Sequence, residues 1–383
     1  MIFFCYLCRN LEPSKVMKTN QRLQSIDALR GFDMLFIMGF SGLVVALCSL
    51  FPNGSECWLA QTMHHVKWHG FAHHDTIFPL FLFLAGLSFP FSYAKQCSTG
   101  ATRSQIYLKI VRRAVVLFLF GLIYNGLLKF NFENLRVCSV LGRIGIAWAI
   151  AAVLYINFGW KTRATICGVI LLGYWLVVGY IPAPDVEGAD PLSMQGSIVG
   201  YIDRLITPGK LYRDNIFDPE GLFSTIPAIV TALIGIFTGE YVRSEQHSGN
   251  RKSLSMFVAA VAMLALGLLW SLVFPINKNL WTSSFVLVVG AYNLAMFALF
   301  YYLIDVRGWS RWSFPLQVIG VNSITIYMAQ KVISFSHINK FFLGGVANAL
   351  PEEWGTLLLK AGYVAVCWLF LYFLYRKKIF LKV

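Results

Sequence analysis

Five of the seven histidines fall within eleven residues: His64, His65, His69, His73 and His74, with Asp75 directly after them. His65, His69 and His73 recur at every fourth residue, which aligns them on one face wherever the segment is helical. Imidazoles at that spacing suit a metal ion, with Asp75 as an oxygen ligand. The same residues suit acid–base chemistry, because an imidazole titrates near neutrality. A solvated, histidine-rich loop accounts for the spacing equally well. The residues alone leave the three readings open.

Asp75 also opens the apolar run Thr76-Ile77-Phe78-Pro79-Leu80-Phe81-Leu82-Phe83-Leu84-Ala85-Gly86. A carboxylate at a helix N-terminus is favoured by the macrodipole, so Asp75 reads as a cap. It reads also as a functional group, since ionisable residues beside lipid are functional by default. Arg143 stands several residues inside a later apolar run, where capping does not apply. Asp27, Arg30 and Asp33 are three apart and share a helix face, as an ion network or as part of an anion-binding mouth.

The chain that must position these groups has 383 residues, 57% apolar and 13% charged, with a mean hydropathy of +0.63. A soluble domain carries about 25% charged residues. A soluble enzyme and a disordered chain are therefore excluded. The net charge of +14 does not point to nucleic acid, because the basic residues lie between apolar runs rather than on one basic face. The expectation is an all-α polytopic transmembrane bundle, an integral membrane protein. Crossing a bilayer takes roughly 20 apolar residues, and only helices satisfy their own backbone in lipid over such runs. Ten stretches qualify: 27–50, 75–94, 109–128, 138–158, 164–181, 223–242, 254–274, 281–304, 312–333 and 356–375.

Ten spans place both termini on one side, and alternating the loops collects 21 of the 32 Lys and Arg on that side. The positive-inside bias makes it cytoplasmic. Asp185, Glu187, Asp190, Asp203, Asp214, Asp218 and Glu220 gather instead in the one long outer loop, 182–222. Loops of that length are usually functional. The domain reading is a transmembrane domain over 23–383 after a cytoplasmic leader, 1–22. The apolar Met1–Cys8 is too short to span, and Met17 is the plainer translation start. Cys48, Cys97, Cys138, Cys167 and Cys367 are scattered in or beside apolar runs, and Cys5-x-x-Cys8 has no second pair. No metal centre is expected from them.

Several motifs, in order, resemble one family. They begin with Arg22-Leu23-Gln24-Ser25-Ile26-Asp27-Ala28-Leu29-Arg30-Gly31 and His65-Val66-Lys67-Trp68-His69-Gly70-Phe71, followed by Asp75 and Phe78-Pro79. Gly200-Tyr201-Ile202-Asp203-Arg204-Leu205, Phe217-Asp218-Pro219-Glu220-Gly221 and Pro275-Ile276-Asn277-Lys278-Asn279-Leu280-Trp281 come next. Asn322-Ser323 and Tyr375-Arg376-Lys377-Lys378-Ile379-Phe380 close the series. Together they resemble heparan-α-glucosaminide N-acetyltransferase and its bacterial relatives, from about residue 20 to the C-terminus. The resemblance does not include the animal enzyme's luminal N-terminal domain.

The resemblance implies acetyl transfer from cytoplasmic acetyl-CoA to the amine of a glucosamine-type sugar across a membrane, here a bacterial inner membrane. His65 falls on the family's catalytic histidine and Asp75 on its aspartate. That favours acid–base chemistry over a metal and leaves His64, His69, His73 and His74 without assigned roles. In the animal enzyme an asparagine near the outer end of the first span assists the histidine; Ser41 stands there here, and its hydroxyl can still hydrogen-bond. Acetyl-CoA enters as a co-substrate, with no permanently bound cofactor. Its phosphates suit Arg22, Arg30, Arg112, Arg113, Arg376, Lys377 and Lys378, because arginine donates to phosphate bidentately. Ser41, Arg143, Asp218, Glu220 and Asn322 are the substrate-side candidates. Partners are thus acetyl-CoA, an amino sugar or glycan, membrane lipids and, optionally, a second copy in a homodimer, but no nucleic acid. Direct transfer and an acetyl-histidine relay are both open. The alternatives are an O-acyltransferase for surface polysaccharide and a non-catalytic amino-sugar transporter.

Overall fold

The computed structural model describes residues 23–212 and 215–381. The leader with Met17 and Arg22, together with Asp214, lies outside the described residues. All ten expected stretches are helical, and no strand occurs among the described residues beyond two isolated bridges, Arg136–Gly209 and Pro182–Ser197. The first crossing runs through α1 (Gln24–Leu35), a π-helical segment (Phe36–Phe40) and α2 (Ser41–Cys48). It bends at Gly39, whose φ of 106° is open to glycine and strained for other residues. A short α3 (Trp58–Thr62) precedes the histidine segment, and α4 (Ile77–Ser98) follows it. Then come α5 (Arg103–Tyr124), α6 (Val140–Asn157) and α7 (Trp160–Tyr180). After α8 (Ile198–Ile206) in the acidic loop, the chain crosses in α9 (Thr225–Arg243), α10 (Gly249–Ser271) and α11 (Ser283–Phe300). It ends in α12 (Phe314–Gly320), α13 (Ser323–Val332), α14 (Phe335–Asn348) and α15 (Glu352–Arg376).

Eight helical segments are long and apolar enough to cross a membrane. Two of the ten expected stretches fall short for identifiable reasons. Lys109, Arg112 and Arg113 interrupt the apolar face of α5. The stretch 312–333 breaks at Val321–Asn322 into α12 and α13. The protein is an integral membrane protein, all-helical across the described residues.

The bundle is organised around α9, of whose apolar stretch 89% is buried, against 17% for α15. Close approach of backbones makes this packing possible, as small residues do between helices in lipid. A Cβ on Gly86 would lie 2.1 Å from the Ala232 carbonyl oxygen, and one on Gly235 2.1 Å from that of Phe83. The Gly31 and Gly320 positions on α1 and α12 interlock likewise: a Cβ on either would lie 1.8 Å from a facing carbonyl oxygen. Gly235→Leu is therefore expected to separate α4 from α9 at a cost of at least about 1–3 kcal/mol. Melting in detergent reads this as a lowered midpoint, with Gly173→Leu, where a Cβ meets open space, near the parent value.

Candidate active site

The segment between α3 and α4 is short of regular structure and held by specific bonds. Gly70, at φ 128°, turns the chain so that its N–H donates to the Ile276 carbonyl at 2.8 Å. Trp68 Nε1 donates to the Leu192 carbonyl at 2.7 Å, tying the same segment to the acidic loop. A 3-10 turn, His73–Asp75, then leads into α4, with the Thr76 N–H donating to the His73 carbonyl at 3.0 Å.

Asp75 is 1% exposed, and its carboxylate turns back along the chain. Asp75 Oδ1 lies 2.6 Å from His65 Nδ1, and Oδ2 accepts a long bond from the Val66 N–H at 3.5 Å. The buried Asp75 thus holds the more exposed His65 ring in a pair at one end of the bundle. An acceptor this close matches a proton on Nδ1, the tautomer in which Nε2 points away from the carboxylate. Burial by itself raises the Asp75 carboxyl, yet the His65 hydrogen bond, the Lys278 and His65 charges and the Val66 N–H outweigh it. The group is held below the ordinary carboxylate range and stays ionised at neutral pH.

Lys278 completes the cluster, although its motif carried no assigned role in the sequence reading. Its Nζ lies 3.4 Å from Asp75 Oδ1 and 3.1 Å from His65 Nδ1. With Nδ1 protonated toward Asp75, the ammonium donates to the carboxylate rather than to the ring. Burial lowers the lysine, partly offset by Asp75 and Glu220. A tight turn presents it: Asn277 is fully buried, its Oδ1 accepts from the Leu280 N–H at 2.9 Å, and Trp281 adopts φ 53°. The signal in sequence was a single lysine between two spans, inside a motif otherwise apolar or amide.

The other histidines separate. The His74 ring meets the His65 ring edge-on at 4.5 Å, and His74 Nδ1 lies 3.2 Å from Ser41 Oγ. Ser41 therefore reaches His65 only through His74. Burial, then the His65 and Lys278 charges, push His74 down to about 4, so it is neutral at neutral pH. His73 packs on Phe36 at 4.4 Å, and burial lowers it too. His69 pairs with Asn277 Nδ2 at 3.3 Å. The every-fourth-residue spacing does not become a common helix face, because the segment is not helical there.

A cavity of about 470 Å³ opens beside this pair. His65, His74, Lys278 and Glu220 line it, and it continues past Phe78, Phe81, Ala85 and Ile144 to Arg30, Arg113 and Leu381. Arg30 Nη1 bonds Asp27 at 3.3 Å, and the Arg113 guanidinium lies over the Trp148 ring at 4.3 Å. Arg112, Arg376, Lys377 and Lys378 are exposed and do not line it.

The substrate-side candidates divide in the same way. Asp218 is fully buried, and Arg136 clasps it through Nε at 2.7 Å and Nη2 at 2.6 Å. Its carboxylate holds the loop and is not open to a substrate. Glu220 also bonds Arg136 but lines the cavity. Arg143, 2% exposed, donates to the Gly221 carbonyl at 3.0 Å and to Ser224 Oγ, and lies over the Trp281 ring at 5.1 Å. It fastens α6 to the end of the acidic loop. Asn322 donates to the Ile379 carbonyl at 3.0 Å, so it anchors the C-terminal tail rather than the His65 end.

A polytopic helical bundle with a carboxylate-held imidazole at one end of an internal cavity is a membrane protein equipped for proton transfer. Residues 22–131 match the family model described as Domain of unknown function (DUF5009). Over nearly its whole length the chain resembles heparan-α-glucosaminide N-acetyltransferase. It is 24% identical to the Mus musculus protein across 98% of this chain, and 26% identical to the Homo sapiens protein across 94%. It spans 63% and 60%, respectively, of the lengths of those relatives.

Proposed function

We propose that the chain is a transmembrane N-acetyltransferase. It takes an acetyl group from acetyl-CoA on the cytoplasmic side and passes it to the amine of a glucosamine-type sugar on the outer side. The membrane is a bacterial inner membrane, and both termini are cytoplasmic. One observation carries this reading: the cavity that joins Arg30 and Arg113 to the His65–Asp75 pair. A transporter needs a path but no carboxylate-held base beside it. The names of the two relatives support the choice of an acetylated amine over a hydroxyl.

The acceptor arrives chiefly as an ammonium ion and first loses one proton to water. As its nitrogen attacks the thioester carbonyl carbon, His65 Nε2 takes the second proton. Asp75, across the ring on Nδ1, keeps the imidazole oriented and offsets the charge of the imidazolium. The tetrahedral adduct collapses by breaking the C–S bond. The imidazolium then protonates the departing thiolate, so the products are the amide and CoA thiol, and His65 is neutral again. Arg30 and Arg113 attract the phosphates of the donor toward the far mouth of the cavity.

Sealed, oriented proteoliposomes test the proposal. Transfer is expected only with acetyl-CoA on the Arg30 side and glucosamine on the His65 side. Equal activity with both substrates confined to one side would defeat the transmembrane mechanism. Asp75→Asn separates charge from shape within the pair. The amide keeps size and hydrogen bonding, and asparagine is an adequate helix cap. Turnover is expected to fall at least tenfold with the melting temperature little changed, because an amide does not offset the imidazolium. Unchanged turnover would reduce Asp75 to a cap.

A further inference from the structure

The loop between the first crossing and the catalytic segment brings two cysteines together. Cys48 ends α2 and Cys57 caps α3, and the eight residues between them fold back in consecutive turns. The Phe51 N–H donates to the Cys48 carbonyl at 3.0 Å, the Gly54 N–H to Phe51 at 2.9 Å and the Cys57 N–H to Gly54 at 3.2 Å. Gly54 sits so tightly on Cys48 that a Cβ there would lie 1.7 Å from the Cys48 carbonyl oxygen. This return sets the two cysteines in one compact turn, where their side chains influence each other electrostatically, and both are free thiols. Cys97 is exposed at the far end of α4, and Cys138, Cys167 and Cys367 are buried.

The two thiols differ in a way that suits exchange chemistry. Cys57 Sγ accepts from the Ala60 N–H at 3.4 Å at the start of a helix. That bond, with a second from Leu59 and the contact with Cys48, holds the Cys57 thiol below its ordinary value. A partly exposed thiol with such bonds is the nucleophile of a pair, since the thiolate is the reactive form. Cys48, buried behind it, is placed to resolve the intermediate.

We propose that Cys48 and Cys57 are a redox-active pair, closed into a disulfide by exchange with a small disulfide or a thiol–disulfide oxidoreductase. The Cys57 thiolate attacks one sulfur of the oxidant, forming a mixed disulfide and expelling one thiolate. Cys48 then loses its proton to water and attacks Cys57 Sγ, which expels the second thiolate. Two electrons pass from the pair to the oxidant, which leaves as two thiols. The closed ring is short, and it fixes α3, from which the chain runs directly through Met63 and His64 to His65. The face of the membrane that carries His65 is the outer one in the orientation proposed above, where disulfides persist. The chemistry itself does not depend on acetyl transfer.

The test uses the full chain in detergent with oxidised glutathione as the probe. Peptide mapping is expected to show Cys48 linked to Cys57, lighter by two hydrogens than the two free peptides, and reverting with dithiothreitol. Cys57→Ser, which lies outside the catalytic groups, is expected to leave Cys48 unlinked and acetyl transfer at the parent level. Hydrogen exchange across residues 58–65 is expected to slow in the oxidised protein. A glutathione adduct on Cys57 that never resolves, or two thiols still fully alkylated after treatment, would overturn the pair. A linked peptide with unchanged exchange at 58–65 would overturn the proposed hold on the catalytic segment.

Discussion

A His65→Ala variant is expected to lose about 10²–10⁴-fold in acetyl transfer, the range a general base contributes, while folding and binding CoA like its parent. The His65 side chain is 52% exposed, so its removal opens no buried void. Asp75 would still have Lys278 at 3.4 Å, which keeps the buried carboxylate partnered. The loss should therefore fall on turnover, read as a drop in kcat with a near-constant melting temperature. His69→Ala and His73→Ala, whose rings engage Asn277 and Phe36, are expected to retain activity. Parent-like turnover in His65→Ala, with loss in His74→Ala, would move the base to the neighbouring ring. The position of His74 at about 4 argues against that outcome, because so weak a base accepts few protons at neutral pH.

The second large effect concerns stability. Arg136→Met is expected to destabilise the protein by about 3–5 kcal/mol, because it leaves a buried carboxylate without its counter-charge. Asp218 has no exposed surface and receives two bonds from that guanidinium. The Arg136–Gly209 bridge and the stacking of the guanidinium over Tyr212 at 4.7 Å would be disturbed with it. Proteolysis in the 182–222 loop and a lower melting midpoint are the readouts. The double variant Arg136→Met, Asp218→Asn is expected to recover part of the loss, since no lone charge is then buried. If Arg136→Met melts with the parent, the clasp contributes nothing and the loop is held elsewhere.

Much of this architecture is legible along the chain. Composition and run length determine that helices cross a membrane, because a backbone in lipid must satisfy its own hydrogen bonds. The motif around residues 65–75 singles out His65 and Asp75, and the structure places them 2.6 Å apart. Two features of the crossings escape a reading of hydropathy. Whether a run stays continuous depends on local breaks such as Val321–Asn322. The basic face of α5 depends on neighbours, because Arg113 is covered by Trp148.

Charge in sequence does not say which charges are already engaged. Asp218 and Glu220 sit two residues apart in one acidic loop, yet one is sealed by Arg136 and the other lines the cavity. Arg112 and Arg113 are adjacent, and only Arg113 faces inward. Helical geometry turns successive side chains by about 100°, so the partner across the bundle decides their roles. Lys278 lies 213 positions from His65 and meets it only because the turn before α11 folds onto the histidine segment. The sequence by itself therefore determined the helical membrane class, set by composition and run length. Spacing left the histidines undivided, and only the family resemblance pointed to His65 and Asp75. The tertiary structure alone decided the cavity, the part of Lys278 and the division of the charges, because each depends on contacts between segments far apart in the chain.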